Sequence, residues 1–416
     1  MAPVAAGERI HVLDVLRGFA LYGVLMSNMV WWFSGYGALD PEAAARLATA
    51  ALDPIVLELE SFFVVGKFIA IFSFLFGVGF SVQMRRARER EAEVTPLYVR
   101  RMLWLFLFGI AHMFVLLAGD ILHLYAVLGL LLIGWVSRSD RTVLGWGLAF
   151  AVLVPVAIKA TLWGLAIVSD GVVDPASAFA ARWEAVDALR PGYAGTYGEM
   201  LRVHLADTWA WFTTDDVLTT GAASFGLFLL GLWVGRTGLL VRASMGQEEK
   251  DRVPFRHGLV WGLVLGVTCQ AVVYAADYLP MLAAESWAGR VGHEGLSRIG
   301  VLGLALAYVC GVVLLFRRGA GSRALYLFAP VGRMALTNYL GQSMICVFIF
   351  YGWGLGWYRS VGPTTSVVLT TVVFIAQAAY SSWWLRRFRF GPAEWAWRSL
   401  TYGSVQPFRL PRTTAV

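Results

Sequence analysis

The stretch Gly109–Leu132, GIAHMFVLLAGDILHLYAVLGLLL, decides the fold. Two apolar runs meet at Ala118-Gly119-Asp120, which leaves room only for a tight turn. Each run has helical length and is apolar on every face, so each reads as a helix surrounded by apolar matter. A hairpin of this kind belongs in lipid. Yet its joint carries His112, Asp120 and His123, three ionisable groups that an apolar hairpin does not need.

The composition extends this reading to the whole chain. Of 416 residues, 58% are hydrophobic and only 15% are charged, and the mean hydropathy is +0.64. So few charges cannot cover a soluble surface. The expected fold class is therefore all-α, a polytopic transmembrane helical bundle. A span needs about 20 mostly apolar residues. Ten stretches provide them: 12–33, 61–84, 99–118, 120–137, 142–168, 217–240, 257–279, 297–316, 325–351 and 363–385. They form a single membrane domain, 1–416, in which 169–216 is an outer-face interfacial segment and 386–416 a cytoplasmic tail. The first stretch contains Asp14 and Arg17 and has no small-residue cleavage site, so it reads as a retained span.

Net charge is +7. With the N-terminus placed in the cytoplasm and every span crossing, the inner segments hold 23 of the 34 basic residues and the outer segments seven; Arg17, Lys67, Lys159 and Arg333 fall inside spans. This is the positive-inside pattern, and it places both termini in the cytoplasm. The excess charge is thus a topology signal that anionic membrane lipid would reinforce. No basic face with interleaved aromatics stands outside those loops, so nucleic acid is excluded as a partner. Cys269, Cys310 and Cys346 all lie in spans and read as small packing residues. The excess of arginine over lysine, 31 to three, points to a bacterial source and hence to the cytoplasmic (inner) membrane.

Two glycine rows, Gly258-x-x-x-Gly262-x-x-x-Gly266 and Gly231-x-x-x-Gly235, have the spacing of close helix contacts. In the 169–216 segment, Trp183, Tyr193, Tyr197, Trp209 and Trp211 suit the headgroup level. The segment reads as an anchor ahead of a lid.

Ionisable groups inside spans cost on the order of 2.5–3.5 kcal/mol each and are functional candidates. Here they fall into two layers. In the inner layer, Asp14 and Arg17 are spaced to pair on one helix face, and Asn28 returns to that face three turns on. Arg333 lies in the ninth expected span, with Asn338 and Gln342 one turn apart beyond it. Glu394 follows Pro392 in the first turn of a terminal helix, where a carboxylate complements the helix dipole. The structural reading of this layer is two ion pairs, Asp14–Arg17 and Arg333–Glu394. The functional reading gives Arg17 or Arg333 an anionic ligand group, since guanidinium forks match phosphate and carboxylate. The outer layer holds Lys67, His112, Asp120, His123 and Lys159. A neutral His112 oriented by Asp120 is a plausible base, and Asp120 equally suits the N-cap of the fourth helix. No zinc-ligand spacing, phosphate loop or nucleophile elbow is present in the sequence, so no metal site is expected.

Five ordered motifs, LDVLRGFALYGVLMSN (13–28), GKFIAIFSFLFGVGF (66–80), GIAHMFVLLAGDILHLYAVLGLL (109–131), GRMALTNYLGQSMIC (332–346) and FGPAEWAWRSLTYG (390–403), together resemble the YeiB-like family of bacterial membrane proteins, known as domain of unknown function 418. Asp14, Arg17, Asn28, Lys67, His112, Gly119, Asp120, Arg333, Asn338, Gly391, Pro392, Glu394 and Trp395 fall in those motifs; His123, Lys159 and Gln342 are not associated with the pattern. The resemblance implies kinship with membrane acyltransferases such as the lysosomal enzyme that acetylates the terminal glucosamine of heparan sulfate. It would imply no tightly bound cofactor but acyl-CoA as co-substrate on the cytoplasmic side, with a glycan, lipid or small-molecule acceptor.

On this reading His112 is the base and Asp120 its orienter. Arg17 and Arg333 hold the donor, Asn28, Lys67 and Asn338 line the path, and Asp14 and Glu394 form structural ion pairs. All are expected to converge on one hollow reached from both sides. Two other functions use the same residues: a proton-coupled transporter or exporter of a small or amphiphilic molecule, and a non-catalytic envelope protein. The sequence allows an oligomer without specifying one.

Overall fold

The computed structural model describes residues 10–89, 95–169, 184–245, 251–278, 286–317 and 322–410. Its principal helices are α1 (His11–Asn28), α2 (Asp53–Phe63), α3 (Lys67–Glu89), α4 (Thr95–Val115) and α5 (Leu122–Leu131). Next come α6 (Asp140–Val168), α7 (Tyr197–Phe212), α8 (Asp215–Thr237), α9 (Val253–Tyr278) and α10 (Trp287–Arg317). The chain ends in α11 (Phe328–Arg333), α12 (Ala335–Phe350), α13 (Pro363–Leu385) and α14 (Pro392–Tyr402). A single bridge, Phe388 to Arg409, is the only β pairing among the described residues. The fold class is the expected all-α bundle.

Among the described residues, eight helical stretches are long and apolar enough to cross a membrane: α1, α2 continued by α3, α4, α6, α8, α9, α10 and α13. The other two expected spans are occupied by shorter apolar helices, Leu122–Trp135 and Ala335–Phe350. The first is short because the polar joint takes up the start of the expected span 120–137. In the second, the expected span 325–351 breaks at Met334, whose backbone leaves the helical region (φ −112, ψ 40).

That break is capped from a distance. Glu394 of α14 accepts hydrogen bonds from the backbone N–H of Leu336 (2.6 Å) and Thr337 (3.2 Å) and from the Thr337 hydroxyl. A carboxylate at a helix N-terminus satisfies orphan N–H groups and complements the dipole. Asp53 does similar work at the start of α13, accepting from the Thr364 N–H at 3.0 Å and from the Thr49 hydroxyl.

Glycines set the closest crossings. A β-carbon on Gly77 of α3 would sit 2.0 Å from the Phe228 carbonyl oxygen of α8, and one on Gly231 would sit 2.0 Å from that of Phe74. Gly262 and Gly266 meet Gly303 and Leu304 of α10 in the same way. The two glycine rows read in the sequence are therefore packing seams. A third seam was less visible: Gly18 of α1 lies against Phe328 and Gly332 against Asp14, bringing Arg333 alongside Arg17. Around these crossings Leu21, Leu25, Met29, Phe33, Tyr98, Tyr125, Phe228 and Phe350 are fully buried.

Overpacking a close seam costs about 1–3 kcal/mol. Gly231→Ala is expected to lower the thermal midpoint of the detergent-solubilised protein, read by size exclusion after a heating series. Gly292→Ala, where an added methyl meets nothing within 4 Å, does not lower that midpoint, since Ala is the better helix former.

Candidate functional site

The α1–α11 and α3–α8 seams leave space on their other side. A cavity of about 410 Å³ lies between α1, α3, α4, α5, α11, α12 and α14. This is within the range of small-molecule sites. The α3 lining runs from Ile69 to Ala87, about 27 Å at 1.5 Å per residue. At the end that carries the arginine-rich loops the wall is basic: Arg17, Arg86, Arg101, Arg333 and Arg398. Only two carboxylates join them, and both are engaged. Asp14 accepts from Arg17 at 3.2 Å, and Glu394 caps α12. Arg101 is fixed by Gln83 (3.2 Å) and lies 4.3 Å over the Trp397 ring. Further in, Leu21, Val24, Phe72, Leu105 and Leu122 make the wall apolar. The cavity is thus amphiphilic along its length, cationic at one end and greasy at the other.

Tyr339 of α12 belongs to this wall, and it carries the site onward. Its ring stands 4.9 Å from that of His112, and its hydroxyl donates to Asp120 Oδ1 at 3.4 Å. Asp120 Oδ1 also lies 2.8 Å from His112 Nδ1. The second oxygen, Oδ2, accepts from the His123 backbone N–H and lies 3.1 Å from His123 Nδ1. Asp120 therefore holds a histidine with one oxygen and, standing one residue before the N-cap Ile121, tethers the first turn of α5 with the other. An ionised Asp120 takes Nδ1–H from each ring and leaves each Nε2 as a lone pair. His112 Nε2 is buried with no hydrogen-bond partner among the described residues. The His112 and Asp120 side chains are 0% exposed, the His123 side chain 8%. Gly109 makes the arrangement sterically feasible, since a β-carbon there would lie 2.3 Å from the His123 nitrogen.

The predicted residues divide accordingly. Arg17, Arg333, Asp14 and Glu394 line the cavity, while His112 and Asp120 lie behind Tyr339. The expected Asp14–Arg17 pair is present; the expected Arg333–Glu394 pair is replaced by the helix cap. Lys67, Asn28 and Asn338 do not line the cavity. The Lys67 ammonium donates to the Ser61 carbonyl at 2.8 Å, within its own corner. Asn28 is half-buried where α1 passes into a π turn, Met29–Phe33. Asn338 Nδ2 serves Val331, Met334 and Ser381, tying α11 and α12 to α13. Convergence on a single hollow is corrected to a cavity and a buried polar cluster sharing one tyrosine. Lys159 pairs with Asp215 (2.6 Å) and Asp216 (3.2 Å). His123, which lies outside the family pattern, is a full member of the cluster. Sequence reasoning missed Tyr339, and it counted Arg86, Arg101 and Arg398 only as topology charges.

It also missed the inner face of α7. Residues 170–183 of the expected interfacial segment lie outside the described residues. The rest is packed onto the bundle: Tyr193 stacks on Tyr351 at 4.5 Å and its carbonyl accepts from the Gly352 N–H at 2.8 Å. His204 and Asp207 are buried, while Trp209 is 73% exposed. Burial pushes His204 down to about 4. Burial likewise raises Asp207, opposed by the Tyr193 hydroxyl and by Arg190.

These features define a multipass α-helical membrane protein with an amphiphilic cavity and a buried His–Asp–His cluster. Residues 235–404 match the family described as protein of unknown function DUF418. The chain is 33% identical to the protein YxaH of Bacillus subtilis, across 98% of each chain. It is 28% identical to YeiB of Escherichia coli, covering 96% of this chain and 98% of that one. It is also 28% identical to a 39.9 kDa protein from the amylase 3′ region of Bacillus acidopullulyticus, across 99% of each. The chain belongs to this DUF418, YeiB-like family.

A histidine held neutral destabilises its surroundings as pH falls from its unfolded pKa, about 6.5, towards its depressed folded one, because only the unfolded state takes the proton. For His204 that window is about pH 6.5 to 4, worth about 3 kcal/mol across it; the raised Asp207 works in the opposite direction. Limited proteolysis between residues 190 and 212 is expected to accelerate as pH is lowered through this window. His204→Phe should flatten that dependence.

Proposed function

We propose that this protein is a membrane acyltransferase that takes an acyl group, such as acetyl, from cytoplasmic acyl-CoA. It passes that group to a hydroxyl or amine of a glycan, lipid or metabolite. The observation that supports this reading is the cavity itself, which runs from five arginines to Tyr339, the residue in contact with both His112 and Asp120. Its arginine-rich end corresponds to the cytoplasmic side of a bacterial inner membrane by the positive-inside pattern.

The chemistry follows from the lining. A CoA thioester is polyanionic at one end and weakly polar along its arm, matching the graded wall. Arg17 and Arg333, adjacent through the Gly18–Gly332 seam, would hold phosphate oxygens with Arg86, Arg101 and Arg398 nearby. The thioester end then lies towards Tyr339. His112 Nε2, with its other nitrogen held by Asp120, takes the acceptor proton as the acceptor oxygen or nitrogen attacks the thioester carbonyl. The C–S bond breaks, and the departing thiolate takes up that proton to leave as free CoA thiol. Asp120 stabilises the transient imidazolium without itself being protonated.

Proteoliposomes given labelled acetyl-CoA and membrane extract as acceptor source are expected to yield labelled product. General-base catalysis contributes about 10²–10⁴-fold, so His112→Ala should lower turnover by at least about a hundredfold, and His112→Asn, whose amide can still donate to Asp120 but offers no Nε2, should do the same with a smaller loss of thermal midpoint. Losing a charge-assisted contact costs about 1.5–3 kcal/mol. Arg17→Gln and Arg333→Gln should therefore raise KM for acyl-CoA by roughly tenfold or more, with smaller effects on kcat. Undiminished turnover in His112→Ala would sink the reading. Solute export driven by a proton gradient and blocked by Asp120→Asn would replace it with the transporter.

A further inference from the structure

One face of α7 carries polar side chains into the bundle. His204, Asp207 and Thr208 stand at i, i+3 and i+4, so they form one stripe. They are 1%, 6% and 4% exposed. The stripe faces the end of α4 that bears His112. The Leu116 carbonyl lies against the His204 ring, and the Leu116 N–H bonds to the His112 carbonyl at 2.8 Å. His204 is therefore stationed about one helical turn beyond His112.

Each of these residues has a buried atom with no hydrogen-bond partner among the described residues: His204 Nδ1, Asp207 Oδ1, Thr208 Oγ1 and His112 Nε2. Asp207 Oδ1 is ion-paired with Arg190 at 3.6 Å, a contact that partners its charge and leaves room for a shorter hydrogen bond. Buried polar atoms are nearly always partnered. Four exceptions on two facing helices mark a position that a ligand group can satisfy.

Their chemistry selects the ligand. His112 gives its Nδ1 side to Asp120, so its Nε2 can only accept. His204 is neutral, because burial pushes it down to about 4, and the Leu116 and Met200 carbonyls lie against its ring; a ring N–H turned to a carbonyl leaves the unpartnered Nδ1 as an acceptor. Asp207 receives the Tyr193 hydroxyl on Oδ2 and keeps Oδ1 as an acceptor. Only the Thr208 hydroxyl can serve either way. Three acceptors and one ambivalent hydroxyl call for hydrogen-bond donors; a phosphate or carboxylate, which brings only lone pairs, is unsuited.

We infer that α7 roofs an acceptor-end site bounded by His112, His204, Asp207 and Thr208, which takes a donor-rich group, a polyol or an amine. Identifying this ligand as the acyl acceptor rests on the transfer reading above; the binding site does not.

Full-length protein labelled with ¹⁵N-histidine in lipid nanodiscs tests this without turnover. Glucose, glucosamine and ethanolamine are the donor-bearing probes, with acetate and inorganic phosphate as anion controls. Glucosamine or another donor-bearing probe is expected to shift the ring nitrogens of His112 and His204 saturably, while the anions leave them in place. Thr208→Val, close to isosteric, should weaken probe binding about fivefold or more with an unchanged thermal midpoint, in keeping with one lost hydrogen bond. His204→Phe should weaken it further. Failure of every donor-bearing probe to bind at millimolar concentration, stronger shifts from the anions, or indifference to Thr208→Val would each overturn the site. Binding that is sensitive to Thr208→Val in a protein that transfers no acyl group supports the site and removes only the transfer reading.

Discussion

A carboxylate buried in an apolar bundle has no water to complete its hydrogen bonds, so the protein must supply every donor. Three carboxylates meet that demand by drawing on separate elements. Asp120 collects His112 from α4, His123 from α5 and Tyr339 from α12. Glu394, on α14, caps the break before α12. Asp53, on α2, caps α13. Apolar contacts between helices are non-directional, and lipid tails compete for them on equal terms. These carboxylates give the bundle its registers, fixing where a helix starts and which residue of a neighbour it faces. The cavity and the histidine cluster both follow from that positioning.

The same constraint explains what the sequence revealed. Continuous apolar runs, the tight joint at Gly119-Asp120, the Asp14–Arg17 spacing and the two glycine rows are local signals, and local geometry decided them. The break at Met334 was hidden because its cause, Glu394, lies 60 residues away and reaches α12 only in the folded chain. Asn338 and Lys67 read as site residues because cost in the membrane was taken as a sign of function. Both offset that cost structurally, Asn338 by binding carbonyls and a serine across three helices and Lys67 through the Ser61 carbonyl. Arg86, Arg101 and Arg398 sat in loops or near helix ends, where the positive-inside pattern already accounted for them. One signal had two causes, and the topological one concealed the wall of the cavity. His204 was hidden by the aromatic run around it, which drew the reading to the exposed Trp209 and away from the buried stripe on the opposite face of α7.

The basic end of the cavity has its own physical logic. Guanidinium groups on α1, α3, α4, α11 and α14 line one end of the cavity, and like charges gathered there raise its affinity for anions. Planar contacts, Arg101 over Trp397 and Arg398 over Phe390 at 4.6 Å, hold two of them against aromatic faces. Their charge is retained while their direction is restricted. An entering polyanion offsets that charge, so its binding is favoured before any specific hydrogen bond forms. In the proposed reading the apolar depth adds the complementary demand for a ligand that is anionic at only one end.

Between that depth and the cluster stands one tyrosine. Its hydrogen bond to Asp120 is long, 3.4 Å, against 2.8 Å for His112 on the same oxygen. Losing the tyrosine contact costs Asp120 little, because three other donors remain, two from His123 and one from His112. Losing the histidine contact would leave a buried carboxylate short of a strong partner. The asymmetry makes Tyr339 the weaker partner of that oxygen and His112 the stronger one. In the proposed reaction that order is the useful one. The donor end of the cavity can open onto the base by displacing one phenol, while the tautomer and direction of His112 stay set by a carboxylate that the displacement leaves in place.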